Sequence, residues 1–196
     1  MTIIKVLRRM FICIRTWIHC VRIGWNFDKT WNIGGGILVK KMPKYVALIH
    51  HTTPGVIKIG KNFHCANAPQ YNSIGTIQPC IFNYSKPNSI IEIGDNVGIS
   101  GSTINASTRI KIGNNVLIGS GCIITDTDSH PLNWDDRLRN DDSKTKSKPI
   151  IIEDNVFIGA RSIILKGVTI GYGSVIGAGS VVTQSIPPNV VACGNP

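Results

Sequence analysis

Along the C-terminal part of the chain, aliphatic residues recur every six positions. Six consecutive units occupy residues 152–187; each opens with Ile or Val, and the fifth position of each is small or β-branched. A period of six matches neither an α-helix, with 3.6 residues per turn, nor a plain strand, whose side chains alternate with a period of two. It is typical of a solenoid whose units each form one short strand and one corner, so that three units close a triangular coil. The opening side chains are then predicted to fill the interior.

The same pattern extends backwards, with units that begin at Ile93, Ile99, Ile112, Ile118 and Ile124. Ile93 and Ile112 are 19 residues apart, one more than three units, so one corner between them is predicted to bulge. Between residues 65 and 88 the register is poor and prolines intervene, which predicts distorted early coils. Glycines at the second and fourth positions of many units suit corners, because glycine adopts backbone angles that other residues avoid.

The N-terminal segment differs from the repeats in pattern and charge. Apolar residues at helical spacing and arginines on a second face predict a short basic amphipathic helix over residues 1–24. Residues 25–56, with the glycines at 34–36 and the apolar run 45–49, are predicted to hold irregular strands that lead into the prism. The chain is therefore divided into an N-terminal segment, 1–56, and a solenoid domain, 57–196.

The net charge of +10 lies entirely in the first part of the chain. Residues 1–61 hold eleven Lys and Arg against one Asp, whereas the remainder holds ten basic and ten acidic residues. The basic helix is therefore a candidate for contact with an anionic membrane surface, or for capping the open end of the solenoid, and not for nucleic-acid binding. Arginines interrupt every apolar run near the N-terminus, so neither a signal peptide nor a membrane span is expected. Six cysteines without paired spacing predict reduced thiols and a cytoplasmic protein, peripheral to the membrane if the helix binds it.

The repeat breaks at His130, and residues 130–149 are densely charged and carry no repeat. A 20-residue insertion in a compact solenoid is usually functional, so a protruding loop with a role in the site is predicted here. Imidazole titrates near neutral pH and can remove a proton from an attacking hydroxyl. Asp126, Asp128 and main-chain carbonyls all lie close enough in sequence to orient it.

The repeats, the segment 125–131 and the ending 186–196 together resemble the hexapeptide-repeat acetyltransferases, and most closely the maltose/galactoside and polysaccharide O-acetyltransferases. The resemblance covers about residues 57–196. It implies an all-β left-handed parallel β-helix, a homotrimer with sites between prisms, and acetyl-CoA as co-substrate with no metal. It also implies that His130 is the catalytic base and that the corner at Gly159 and Ala160 supplies amide hydrogens to the oxyanion.

The resemblance further implies two sets of binding residues. By position, those expected at the acetyl-CoA site are Gly119, Phe157, Gly159, Ala160, Gly177, Ala178, Thr183 and Gln184. Those expected at the acceptor are Ser100, Asn105, Asp128 and Trp134. The glycines and alanines among them also have a purely structural interpretation as corner residues. Relatives often carry Trp at the position of Phe157, which points to an altered acceptor pocket.

The function expected from the resemblance is acetylation of a sugar hydroxyl, in the assembly of a surface polysaccharide such as capsule or O-antigen. The alternatives are acetylation of an antibiotic or an amino-sugar nucleotide, and a non-catalytic scaffold. A carbonic anhydrase on the same prism would need three zinc-binding histidines, and only His130 lies in a suitable region.

Overall fold

The computed structural model describes residues 55–196 in full and the backbone of residues 32–34 and 38–40. The predicted N-terminal helix and the apolar run 45–49 lie outside these residues. Within them, no helix combines the length and the apolar character needed to cross a bilayer.

The described strands form the three faces of a prism, each a parallel sheet. Face A comprises β1 (Asn32–Gly34), β4 (His64–Ala66), β7 (Gly98–Ser100), β10 (Leu117–Ser120), β13 (Phe157–Ile158), β16 (Val175–Ile176) and β18 (Val191–Ala192). Face B comprises β2 (Leu38–Lys40), β5 (Ile81–Tyr84), β8 (Thr103–Ala106), β11 (Ile123–Thr125), β14 (Ile163–Ile164) and β17 (Val181–Val182). Face C comprises β3 (Val56–Ile59), β6 (Ile90–Ile93), β9 (Arg109–Ile112), β12 (Ile150–Ile152) and β15 (Thr169–Ile170).

From β1 to β14, each strand pairs with the strand three positions later in the chain, so one coil comprises three strands. The fold is a left-handed parallel β-helix, an exception to the usual right-handed crossover. The strands β1 and β2 extend faces A and B within the segment predicted to hold leading strands.

The interior confirms the predicted roles of the first and fifth positions. The opening residues Ile152, Ile158, Ile164, Ile170 and Ile176 are all fully buried. Val156, Ser162, Val168, Ser174 and Ser180 are buried at the fifth positions of their units. The buried serines also satisfy corner carbonyls: the hydroxyl of Ser162 donates to the Gly159 oxygen and that of Ser180 to the Gly177 oxygen. A serine at this position therefore fills space and pairs a polar group that water cannot reach.

Along the edge between faces C and A, asparagine occupies four corner positions with positive φ. Asn62, Asn96, Asn115 and Asn155 have φ of 53° to 61°, in the left-handed region that Asn tolerates better than most residues. The side-chain amide of each of the first three donates to the amide oxygen of the next, at 2.9–3.0 Å. This ladder ties four successive coils together.

The predicted irregularity between Ile93 and Ile112 is present. Ile93 pairs with Ile112 and Ile99 with Ile118, so the coil takes 19 residues at both places. Ile104 pairs with Ile124, so here the two paired residues are 20 positions apart in the sequence. The additional residue enters at a register shift between Ile118 and Ser120. This shift falls at the end of β10, and the core positions on either side of it stay aligned.

The early coils are more regular than predicted. Residues 56–59, 64–66 and 81–84 pair in continuous register with the next coil, and the irregularity is confined to an insertion at residues 67–80. Asn67 clamps this insertion, since its side-chain oxygen accepts from the Cys65 thiol (3.0 Å) and from the Cys80 amide (2.8 Å). Burial raises the pKa of the Cys65 thiol well above its usual value.

The second insertion is also more ordered than a plain loop. Residues 130–149 contain an α-helix, Trp134–Leu138, and a 3-10 helix, Asp142–Lys144. The Asn133 side chain caps the first of these by accepting from the Asp135 amide. The protruding segment predicted from the sequence thus contains two short helical turns, which its dense charges did not indicate.

Candidate active site

His130 lies on the edge between faces B and C, at the point where the second insertion leaves the prism. Its side chain is 74% exposed. Ser129, directly before it, has φ of 63°, and its amide donates to the Thr127 hydroxyl at 3.2 Å. The backbone thus turns sharply here and presents the imidazole to solvent.

Asp126 is not available to orient His130, although it lies close in sequence. It is fully buried, and its carboxylate accepts from the amides of Ser107 (2.6 Å), Thr108 (2.7 Å) and Arg109 (2.8 Å) and from the Thr108 hydroxyl (2.7 Å). All four donors belong to the corner of the preceding coil. Asp126 therefore holds two coils together and is a structural residue.

The two other nearby carboxylates differ in their contacts. The Nδ1 atom of His130 lies 4.0 Å from an oxygen of Asp142, and both side chains are about three-quarters exposed. Asp128 pairs instead with Lys166. Among the described residues, Asp142 is the carboxylate that approaches His130 to 4.0 Å, and sequence reasoning missed it because it lies within the charged insertion.

A row of polar side chains runs across face B toward His130. The Asn83 amide donates to the Asn105 oxygen (2.6 Å), and the Asn105 amide donates to the Thr125 hydroxyl (3.2 Å). The Thr125 hydroxyl then donates to the Thr127 carbonyl (3.4 Å). The predicted acceptor residue Asn105 thus lies on the face that leads to His130, together with Asn83, which its sequence position did not reveal.

The predicted donor corners stack along the edge between faces A and B. A Cβ on Gly119 would lie 2.5 Å from the Ala160 nitrogen, and one on Gly159 would lie 2.4 Å from the Ala178 nitrogen. Only glycine permits this approach, which explains the second-position glycines. Gly177 occupies the same position in the next coil. The corners therefore form a narrow track along this edge, lined by main chain.

Two amides on this track, those of Ala160 and Ala178, make no hydrogen bond to another described residue and are free to bind an oxyanion. The Gly159 amide donates to the Ile176 carbonyl and the Arg161 amide to the Ser120 carbonyl. The Ala160 amide between them makes no hydrogen bond to any other described residue. A main-chain N–H of this kind is the group that stabilises a developing oxyanion in acyl transfer.

The remaining predicted residues lie apart from one another. Phe157 projects from face A and is 46% exposed, and Ser100 lies on the same face two coils earlier. Trp134 opens the helix of the second insertion and is 67% exposed.

Thr183 and Gln184 follow face B, and so lie on the same edge as His130 and not with the donor corners. They line a cavity of about 320 Å³ together with residues 192–196. The acetyl-CoA residues predicted by position are therefore divided between two edges of the prism. Elsewhere in residues 55–196, no three His, Cys, Asp or Glu side chains converge as metal ligands would.

Comparison with known proteins matches the repeat region to a family of hexapeptide-repeat proteins. The family described as hexapeptide repeat of succinyl-transferase matches residues 109–125 and 149–184, on either side of the second insertion. The galactoside O-acetyltransferase of Escherichia coli is 44% identical over 119 residues, which are 60% of this chain and 55% of that protein. That of Lactococcus lactis is 48% identical over 94 residues, 48% of this chain and 44% of that protein. The chain thus spans about half the length of these relatives.

A solved structure covers more of the fold. The hexapeptide-repeat-containing acetyltransferase of Vibrio cholerae is 30% identical, with a TM-score of 0.50, over 78% of this chain and 76% of that one. The chain belongs to the hexapeptide-repeat acetyltransferase family, as the repeats and the segment around His130 predicted.

Proposed function

We propose that this protein transfers an acetyl group from acetyl-CoA to a hydroxyl group of a sugar. The observation that carries the proposal is the position of His130, an exposed imidazole at the mouth of the insertion, at the end of the polar row of face B. Hydroxyl and amide side chains in such a row suit the hydroxyl groups of a sugar. The matches to two galactoside O-acetyltransferases support the same class of acceptor.

In this reaction the neutral imidazole of His130 removes the proton of the acceptor hydroxyl as its oxygen attacks the thioester carbonyl. The carbonyl oxygen becomes an oxyanion, which the Ala160 amide is free to bind. Collapse of the tetrahedral intermediate breaks the carbon–sulfur bond, and the leaving thiolate takes the proton back from the imidazolium. The products are the acetyl ester and CoA, and no covalent acyl-enzyme is needed.

We further propose that each site lies between two copies of the chain in a homotrimer. His130 lies on the edge between faces B and C, whereas the Ala160 corner lies on the edge between faces A and B. The full width of face B separates them, at most about 20 Å for a six-residue unit at 3.3 Å per residue. A second prism whose A–B edge meets the first prism's B–C edge brings the two groups together.

The trimer is tested by mass. We expect sedimentation equilibrium to give three times the 21.3 kDa of the chain at the concentrations used for assay. A monomer with full activity would contradict the intermolecular site.

Within the proposed activity, a surface polysaccharide intermediate is the acceptor we favour, with antibiotics and amino-sugar nucleotides as alternatives. The polar row of face B favours a hydroxyl-rich acceptor over an apolar one. Binding of the basic segment 1–24 to an anionic membrane, where lipid-linked glycans are assembled, remains part of this proposal.

The activity is tested by thiol release from acetyl-CoA against galactosides, oligosaccharides, amino-sugar nucleotides and antibiotics. Cys193 is a free, exposed cysteine that is accessible to the reagent used to detect released thiol, so mass spectrometry of the acceptor must confirm a gain of one acetyl group. We expect ester formation on a saccharide. Transfer only to an amine would replace the proposed acceptor class, and no transfer to any acceptor would contradict the proposed activity.

A further inference from the structure

The second insertion joins the prism through a narrow stem formed by residues 126–128 and 146–148. The Asp128 amide donates to the Lys146 carbonyl (3.0 Å), and the Lys148 amide donates to the Asp126 carbonyl (2.9 Å). His130 lies just beyond this stem, so its position in space follows the position of the stem.

Each side of the stem is also fixed to the coil that follows. On the side that returns to the prism, the carbonyl of Lys148 accepts a hydrogen bond from the Gly167 amide (3.1 Å). On the side that leads to His130, the ammonium group of Lys166 contacts an oxygen of Asp128 at 2.5 Å. Lys166 lies at the corner after β14, one coil beyond the strand that precedes His130.

The pair of Lys166 and Asp128 is largely shielded from water. The side chains are 27% and 16% exposed. The second oxygen of Asp128 is buried and has no hydrogen-bond partner among the described residues. Lys166 is therefore the counter-charge of this carboxylate, and its removal would be costly because a shielded carboxylate would be left unpaired.

His130 has little else among the described side chains to hold it. Its one charged neighbour, Asp142, is 4.0 Å away and exposed, and Asp126 is fully occupied by the preceding coil. We propose that Lys166 is a positioning residue that, through its contact with Asp128, fixes the stem and so sets the position of His130. This inference rests on the proposed function, in which His130 is the base.

The test compares Lys166→Met with Lys166→Arg in the acetyl-transfer assay. Misplacement of a catalytic group by about 1 Å can cost about 10²-fold, so we expect Lys166→Met to lower kcat by roughly 10–100-fold. The KM for acetyl-CoA should stay within about twofold, because the variant is expected to displace the base and not the corner at Gly159 and Ala160, which lies on the other edge of face B. Lys166→Arg keeps the charge and should restore most of kcat. Lys111→Met, on exposed face C, is the matched control and should leave kcat unchanged.

Two double variants separate this role from general destabilisation. If Lys166 acts through Asp128, adding Lys166→Met to Asp128→Asn should lower kcat no further. If it acts through His130, adding Lys166→Met to His130→Ala should leave the residual rate unchanged, whereas a folding defect would lower it again.

The outcomes distinguish the inference from the proposed function. Full kcat for Lys166→Met, in a protein that His130→Ala inactivates, would overturn the positioning role and leave the activity standing. Equal rates for wild type and His130→Ala would show that His130 is not the base, and would contradict the mechanism given under the proposed function. If Lys166→Met does not fold, Asp128→Asn alone decides: unchanged kcat in that variant overturns the inference.

Discussion

Replacing His130 with alanine is expected to lower kcat by about 10²–10⁴-fold, the usual contribution of a positioned general base. The side chain is exposed, so its removal leaves no cavity and no unpaired buried group. Acetyl-CoA affinity should therefore be nearly unchanged. Steady-state rates and direct binding of acetyl-CoA by calorimetry measure the two effects separately.

His64 provides the matched control for this variant. It is an exposed histidine on β4, in the first fully described coil, and lies on face A. His64→Ala should keep wild-type kcat. If His130→Ala kept it as well, His130 would not be the base, and the exposed imidazole would have to serve only in binding.

Asp126→Asn is expected to destabilise the fold by about 3 kcal/mol, because hydrogen bonds to a charged, buried acceptor contribute about 1.5–3 kcal/mol each. The carboxylate accepts from three main-chain amides and one hydroxyl. An asparagine offers one oxygen, and its NH₂ group must face at least one of these donors. Urea denaturation followed by circular dichroism measures the loss.

Asp135→Asn is the control for this substitution. Asp135 pairs with Arg139 in the helix of the second insertion, where the guanidinium is well exposed. Such surface pairs contribute at most about 1 kcal/mol. Equal stability of the Asp126→Asn variant and wild type would show that the corner at residues 107–109 holds without the carboxylate.

The His130→Ala and Asp126→Asn variants also distinguish the roles of residues that lie close together in the sequence. Asp126, Asp128 and His130 alternate along five residues, and any of the carboxylates is close enough in sequence to orient the imidazole. The structure directs Asp126 into the prism, where it binds the preceding coil, and pairs Asp128 with the following coil. On a regular strand, side chains two residues apart would face the same way. Their different environments arise because the chain leaves strand geometry after Thr125, where β11 ends, and turns at Ser129, which has φ of 63°.

The repeat, and the side chains that it buries, could be predicted from the amino-acid sequence alone. A period of six fixed one strand and one corner per unit, and the aliphatic and small positions fixed which side chains are buried, because both follow from local spacing alone. The break in the repeat at His130 also marked the place of the insertion. Asn115 and its counterparts on the ladder were visible in the sequence as well, yet their shared role depends on coils that lie 19 to 40 residues apart.

Contacts between side chains of different coils could be seen only in the three-dimensional structure. Lys166 and Asp128 are 38 residues apart, and the length of an irregular insertion separates them, so no periodic pattern aligns them. The same holds for Asp142, whose approach to His130 depends on the turns within the insertion. The division of the predicted acetyl-CoA residues between two edges follows from which face each unit occupies. For residues 152–187 this face follows from counting uninterrupted units of six. The placing of Gly119 and Ser100 relative to those units required the structure, because the insertion at residues 130–149 interrupts the count.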